Sequence, residues 1–233
     1  MRAPEHAARQ DRDGRRPGAG SSRYALVALD FDGTLADTLP WFEGIVGDVC
    51  ARYGLRVPDA AARQAMRHSD AREIFRRLAL PLWKLPQVMA YLRQRMAQDA
   101  PRIELFDGMA AALRAMRGQG VQLALLSSNS AANVRRVLGE ALWPCFAYQA
   151  CGSDVFGKAG KLRRLMRQAG VAPGRVLLVG DELRDIEAAR QAGVSAGAVA
   201  WGYNVPQALR AAGPDVLFDT PADIAAYVLQ SYC

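Results

Sequence analysis

Residues 24–38 read YALVALDFDGTLADT, an apolar run ending on Asp30 and Asp32 with Phe31 between them. Carboxylates beside a core are costly, and close neighbours repel unless positive charge stands between them. An ordinary turn also uses Asp and Gly, so the pair carries meaning only through what accompanies it. Ser127, Ser128 and Asn129 follow the apolar stretch VQLALL, Lys158 stands further on, and Asp181 and Asp185 follow RVLLV. Several carboxylates around one point suit Mg2+, a hard cation that prefers oxygen ligands. Hydroxyl, ammonium and turn amide groups suit the oxygens of a phosphate. The set therefore has the parts of a phosphoryl-transfer site. Asp30 is placed to attack phosphorus, and Asp32 to give a proton to the leaving oxygen and take one back from water. Mg2+ between Asp30, the Asp32 carbonyl and Asp181 would offset the repulsion of carboxylate and phosphate. Lys158 and the Ser127 hydroxyl would hold the other phosphoryl oxygens, and Gly33 lets the chain turn so that its amides face them.

These residues need a scaffold that brings four loops together, and the hydrophobic pattern supplies one. Strands are predicted at 24–29, 121–126, 147–151, 175–179, 196–200 and 215–218, with helical stretches between them that include 183–192 and 206–212. Alternating strands and helices imply right-handed parallel crossovers and a doubly wound, Rossmann-like α/β sheet. Such a sheet binds ligands beyond the carboxyl ends of its strands, where all the polar clusters fall. Residues 39–102 differ. Trp41, Ile45, Val49 and Tyr53 repeat every four positions, Ile74, Phe75 and Leu78 form a second stripe, and Val88, Leu92 and Met96 a third. The expected organisation is a disordered basic tail over 1–22, an α/β core from 23–38 and 103–233, and a small helical cap over 39–102.

Composition limits the function classes. With 233 residues, 51% hydrophobic and 23% charged, the chain has ample material for a core. Its apolar runs are too short to span a bilayer, and no secretory signal pattern opens it. The formal charge is +7, but residues 1–23 hold +3 of it in an Arg-rich segment without apolar period, so no nucleic-acid partner is expected. Cys50, Cys145, Cys151 and Cys233 show no metal-type spacing, which fits free thiols in the cytoplasm.

DFDGTLADT, LLSSN, a downstream lysine and VGDELRD, in that order, resemble the haloacid dehalogenase superfamily, with the nearest likeness to its phosphoglycolate phosphatase-like branch. VAWGYN at 199–204 adds to that likeness. The resemblance covers residues 24–233. It implies a Rossmann-like core, a helical cap between the first two motifs, Mg2+ and a small phosphorylated metabolite as substrate. It also implies the roles already given to Asp30, Asp32, Ser127, Lys158 and Asp181, with Phe31, Gly33, Thr34, Ser128 and Asn129 around the phosphate. Asp185 would be an indirect or water-mediated metal contact, and Glu182 a neighbour.

Alternatives stand beside several residues. Ser127 directly follows its strand and is preferred for phosphate over Ser128; the serines and Asn129 could otherwise start a helix. Lys158, expected in the loop before a helix, is preferred over Lys161, expected in the first turn of that helix. Asp181 and Asp185 also suit a helix N-terminus. GSDVFGKA (152–159) nearly spells a nucleotide-binding phosphate loop, but Ala159 stands where a metal-binding hydroxyl is required. His6 and His68 have no partnered Ser or Cys. Arg67, Arg72, Arg76 and Arg77 could reach a substrate carboxylate from the cap, though a solvated helix face accounts for most of them. WGYN is assigned no catalytic part. A sugar phosphomutase would keep every core motif, and a non-catalytic phosphate-binding module would keep the fold; the full set of acids, serine and lysine favours the hydrolase.

Overall fold

The computed structural model describes residues 22–152 and 157–230. The basic tail to residue 21, the middle of GSDVFGKA and Cys233 lie outside the described residues. Six strands form one parallel sheet: β1 (Leu26–Leu29), β2 (Gln122–Leu126), β3 (Phe146–Ala150), β4 (Val176–Gly180), β5 (Ser195–Val199) and β6 (Val216–Phe218), in the order β3-β2-β1-β4-β5-β6. The first strand is shorter than expected, because Tyr24 and Ala25 precede its ladder. Otherwise the strands lie within a residue of the predicted spans.

Helices cover both faces of the sheet, and the side-chain alternation of a strand divides the core between them. On one face Val27, Leu29, Leu123, Leu125, Leu177 and Val179 pack with α5 (Met109–Gly118), α6 (Ala131–Leu142) and α10 (Pro221–Leu229). On the other, Leu26, Ala28, Ala124, Leu126, Val176 and Leu178 pack with α7 (Lys158–Ala169), α8 (Leu183–Ala192) and α9 (Pro206–Ala212). All four residues of β1 are fully buried because both of its faces are covered. The chain winds outward from β1 to β3, returns to place β4 on the other side of β1, then winds outward again. The sheet order therefore reverses between β1 and β4, and their carboxyl ends carry Asp30 and Asp181.

Between β1 and α5 the chain forms α1 (Leu39–Tyr53), α2 (Ala60–Met66), α3 (Ala71–Arg77) and α4 (Leu85–Asp99). They bury an apolar cluster of their own, including Ile45, Val49, Leu78, Leu85 and Val88. Met96, at the far end of α4, joins the sheet core instead, so the stripe Val88–Leu92–Met96 bridges two cores. The connections into and out of this insertion run side by side: Asp37 N–H donates to Glu104 O at 2.9 Å and Phe106 N–H to Leu35 O at 3.1 Å. Among the described residues, no helix is long and apolar enough to cross a membrane.

Leu113 on α5 is fully buried against the sheet. Leu113→Ala is expected to lower unfolding free energy by about 2–5 kcal/mol, measured as a shift in urea midpoint at unchanged slope. A loss below 1 kcal/mol would mean that this layer packs differently.

Candidate active site

Strand alternation continues past the end of β1 and sorts the first motif. Phe31 is fully buried in the sheet core, while Asp30, 2% exposed, and Asp32 leave the strand on the opposite side. The turn that follows is tight. Phe31 O accepts from the N–H groups of Thr34, Leu35 and Ala36 at 3.3, 3.0 and 3.0 Å, and Gly33 N–H donates to Ala36 O at 3.0 Å. The amides of Gly33 and Thr34 are thus engaged within the turn. Gly33 has φ +73°, and a Cβ there would lie 2.2 Å from an Asp181 carboxylate oxygen. Both the backbone conformation and the space demand glycine.

Asp181, wholly buried just after β4, is held from two sides. Thr34 Oγ1 donates to its Oδ1 at 2.8 Å, and Tyr203 N–H donates to its Oδ2 at 2.8 Å. Thr34 was expected around the phosphate; its hydroxyl is instead on this carboxylate. Asp185 lies in the first turn of α8, where its Oδ2 accepts from Glu182 N–H at 3.0 Å. Lys158 is the first residue of α7 rather than the loop before it, and its buried ammonium donates to Asp30 Oδ2 at 2.5 Å and to Asp185 Oδ1. Lys161 donates to Gly152 O at 2.9 Å. Of the two lysines, Lys158 is the one bonded to the carboxylates.

The Ser127–Asn129 loop after β2 closes the other side. Ser127 is 2% exposed and its hydroxyl oxygen accepts from Asn129 N–H at 3.0 Å. Asn129 Nδ2 lies 3.3 Å from each oxygen of the Asp32 carboxyl group. The cap of α6 is Ser130, whose hydroxyl accepts from Asn133 N–H at 3.2 Å. Ser127 and Ser128 are therefore not the helix-starting residues.

Electrostatics follow from burial. The Asp32 carboxyl is pushed up to about 7, first by burial and then by the charge of Asp30. It can thus exist protonated or ionised near neutrality, as a group that gives and retakes a proton must. Asp30 is raised by burial, against the pull of Lys158. Asp181 is raised well above the usual range by burial, with Glu182, Asp185 and Asp30 adding to it. Oxygens of Asp30, Asp181 and Asp185 lie within 4.8 Å of one another. Three buried carboxylates against the single ammonium of Lys158 leave negative charge uncompensated, and an all-oxygen donor set of this kind fits Mg2+. The Asp32 carboxyl is outside this group of three.

The largest omission from the sequence reading is WGYN. Trp201 Nε1 donates to Thr34 O at 3.2 Å, Tyr203 N–H holds Asp181, and Asn204 Oδ1 accepts from Leu183 N–H at 2.9 Å. Asn204 Nδ2 and the Arg67 guanidinium then tie this loop to the helical insertion: Asn204 donates to Arg67 O, and Arg67 donates to Tyr203 O and Gly202 O. Arg76 and Arg77 pair with Glu73 on the insertion surface, as a solvated face would. The available signal was glycine between aromatic residues after a buried strand. A Cβ on Gly202 would lie 2.2 Å from Asp181 Cβ and 2.5 Å from Gly33 O.

The family described as haloacid dehalogenase-like hydrolase matches residues 27–199. A phosphoglycolate phosphatase of Synechococcus elongatus is 36% identical over 205 residues, spanning 88% of this chain and 97% of that protein. A haloacid dehalogenase-like hydrolase structure from Streptococcus pneumoniae superposes with TM-score 0.72 at 20% identity, covering 88% of this chain and 98% of its own. CbbY from Rhodobacter sphaeroides, solved with phosphate, gives 0.70 at 21%, covering 88% and 99%. At those identities the structures show a shared fold.

The two kinds of glycine separate in a stability test. Gly202→Ala is expected to destabilise by about 1–3 kcal/mol through overpacking against Asp181. Gly47→Ala, on the exposed face of α1 with open space around it, is expected to stabilise by about 0.5–1 kcal/mol. Thermal unfolding of both variants checks the contrast, and equal effects would contradict it.

Proposed function

The chain belongs to the haloacid dehalogenase-like hydrolases, and on that premise we propose that it is a Mg2+-dependent phosphatase acting on a small phosphomonoester of the 2-phosphoglycolate kind. One observation carries the reading: Asp30, Asp181 and Asp185 converge within 4.8 Å, with the Lys158 ammonium on two of them, at the point where the sheet order reverses. The 36% identical phosphoglycolate phosphatase supports the substrate class.

In the proposed reaction Asp30 attacks phosphorus, and the bond from phosphorus to the ester oxygen breaks as an aspartyl-phosphate forms. Asp32, in its protonated form, gives its proton to the departing alcohol oxygen. Asp32, now ionised, takes a proton from the water that attacks the same phosphorus, and Asp30 is regenerated as inorganic phosphate leaves. Asn129, beside both oxygens of Asp32, fixes the orientation of that carboxyl. Lys158 and the Ser127 hydroxyl draw charge from the non-bridging oxygens. Mg2+, held by Asp30, Asp181 and the Asp32 carbonyl with Asp185 alongside, would neutralise the repulsion between nucleophile and phosphate. Thr34 and Tyr203 N–H keep Asp181 directed at it.

The helical segment 39–102 is proposed as a cap. Its helices and the core loops line an open-mouthed cavity of about 270 Å3, bounded by residues that include Trp41, Phe42 and Phe75 on one side and Asp32 and Asn129 on the other. A wall of this kind excludes bulk water and selects the leaving group.

Phosphate release from a panel including 2-phosphoglycolate, sugar phosphates, nucleotides and an aryl phosphate is expected with Mg2+ and lost with chelator. Asp30→Asn is expected to lower kcat by about 10^4-fold or more at unchanged circular dichroism. Full turnover by that variant, or hydrolysis indifferent to metal, would refute the mechanism. Mg2+ is also expected to raise the unfolding temperature of the wild-type protein and not that of Asp181→Asn, a readout independent of turnover.

A further inference from the structure

Arg93, on α4, borders the cavity between the helical insertion and the core. Its Nε donates to Ser128 O at 3.2 Å, and among the described residues no carboxylate lies within ion-pair distance of its guanidinium. Among the described residues, the buried side-chain nitrogens without a hydrogen bond are Arg93 Nη2 and Arg184 Nε. The second of these lies 2.8 Å from Glu182 Oε2, so its charge is matched. Arg93 has no such match. Burial lowers its pKa, and the Asp32 charge acts on it in the opposite direction. A guanidinium presents five donors in a planar fork suited to a carboxylate, and leaving buried donors unmade is costly.

The anchor gives this cation an address. Ser128 follows Ser127, the proposed phosphate hydroxyl, so the fork is tied one residue from that hydroxyl, and Asp32 lines the same cavity. A single unmatched positive charge suits a monoanion. We propose that Arg93 is a specificity-determining residue that binds a carboxylate carried one or two carbons from the ester oxygen of the substrate. The proposal rests on the phosphatase reading above and names the part of the substrate that the core motifs do not read. Arg67, which also lines the cavity and was considered from sequence, is committed to Tyr203 O and Gly202 O.

The test compares 2-phosphoglycolate with ethyl phosphate, which has a methyl group where the former has its carboxylate. Wild-type protein is expected to favour 2-phosphoglycolate in kcat/KM. In Arg93→Met, which keeps much of the apolar stem, the ratio of the two kcat/KM values is expected to fall about 10- to 100-fold, the range of a charge-assisted hydrogen bond. Arg93→Lys keeps the charge without the fork and is expected to lie between, and its ratio decides the matter if the methionine variant does not fold. A ratio unchanged in the folded variants, whatever happens to absolute rates, overturns the role of Arg93 while leaving the phosphatase reading intact. Absence of phosphate release from both esters by the wild-type protein overturns that reading and this proposal together.

Discussion

The architecture answers to one electrostatic constraint: buried carboxylates gathered where several loops meet, with one lysine among them. Asp30, Asp181 and Asp185 come from two strand ends and a helix start, and Lys158 from the start of another helix. Left in an apolar surrounding, such groups would take up protons rather than stay charged. The directions of the shifts at Asp30, Asp32 and Asp181 show that pressure. A cation and a phosphate are the partners that would relieve it, which is why the same constraint bears on both fold and proposed chemistry.

The scaffold meets the constraint with rigid parts. Asp30 and Asp181 follow adjacent central strands, and Asp30 N–H donates to Val179 O at 2.9 Å, so the two loops leave the sheet in a fixed relation. Glycines at 33, 180 and 202 stand where a Cβ would strike Asp181 or Asp185. The absence of side chains at these positions lets the carboxylates approach one another. Thr34, Tyr203 and Glu182 then supply directed donors, two of them main-chain amides that any residue except proline would supply.

The loop after β5 links two levels of the structure. It holds Asp181 through a main-chain amide and receives the Arg67 guanidinium from the helical insertion through two carbonyls. Val205 N–H also donates to Arg67 O at 3.0 Å. The geometry at the carboxylate cluster and the seating of the insertion therefore share one short segment of backbone. In the proposed reaction this would let the part that selects the leaving group register against the part that transfers the phosphoryl group.

Much was legible in the linear pattern. Continuous apolar runs in LVAL, QLALL and VLLVG, separated by helix-period stretches, point to a parallel sheet with both faces covered, because such a sheet buries both sides of each strand. Asp-Phe-Asp at a strand end determines that the acids leave together while the aromatic ring stays inside, since side chains alternate along an extended chain. Tertiary structure alone decided what required distant segments to meet. Ser130, a residue the sequence did not single out, caps its helix, the Lys158 ammonium meets Asp30 and Asp185 together, and the Thr34 hydroxyl turns to Asp181. WGYN gives no chemical signal in one dimension because its main tie to Asp181 is a backbone amide, which every residue except proline possesses. Arg93 stood among many arginines in the sequence. Its distinction, a buried nitrogen without an acceptor, exists only once α4 has folded over the Ser128 carbonyl.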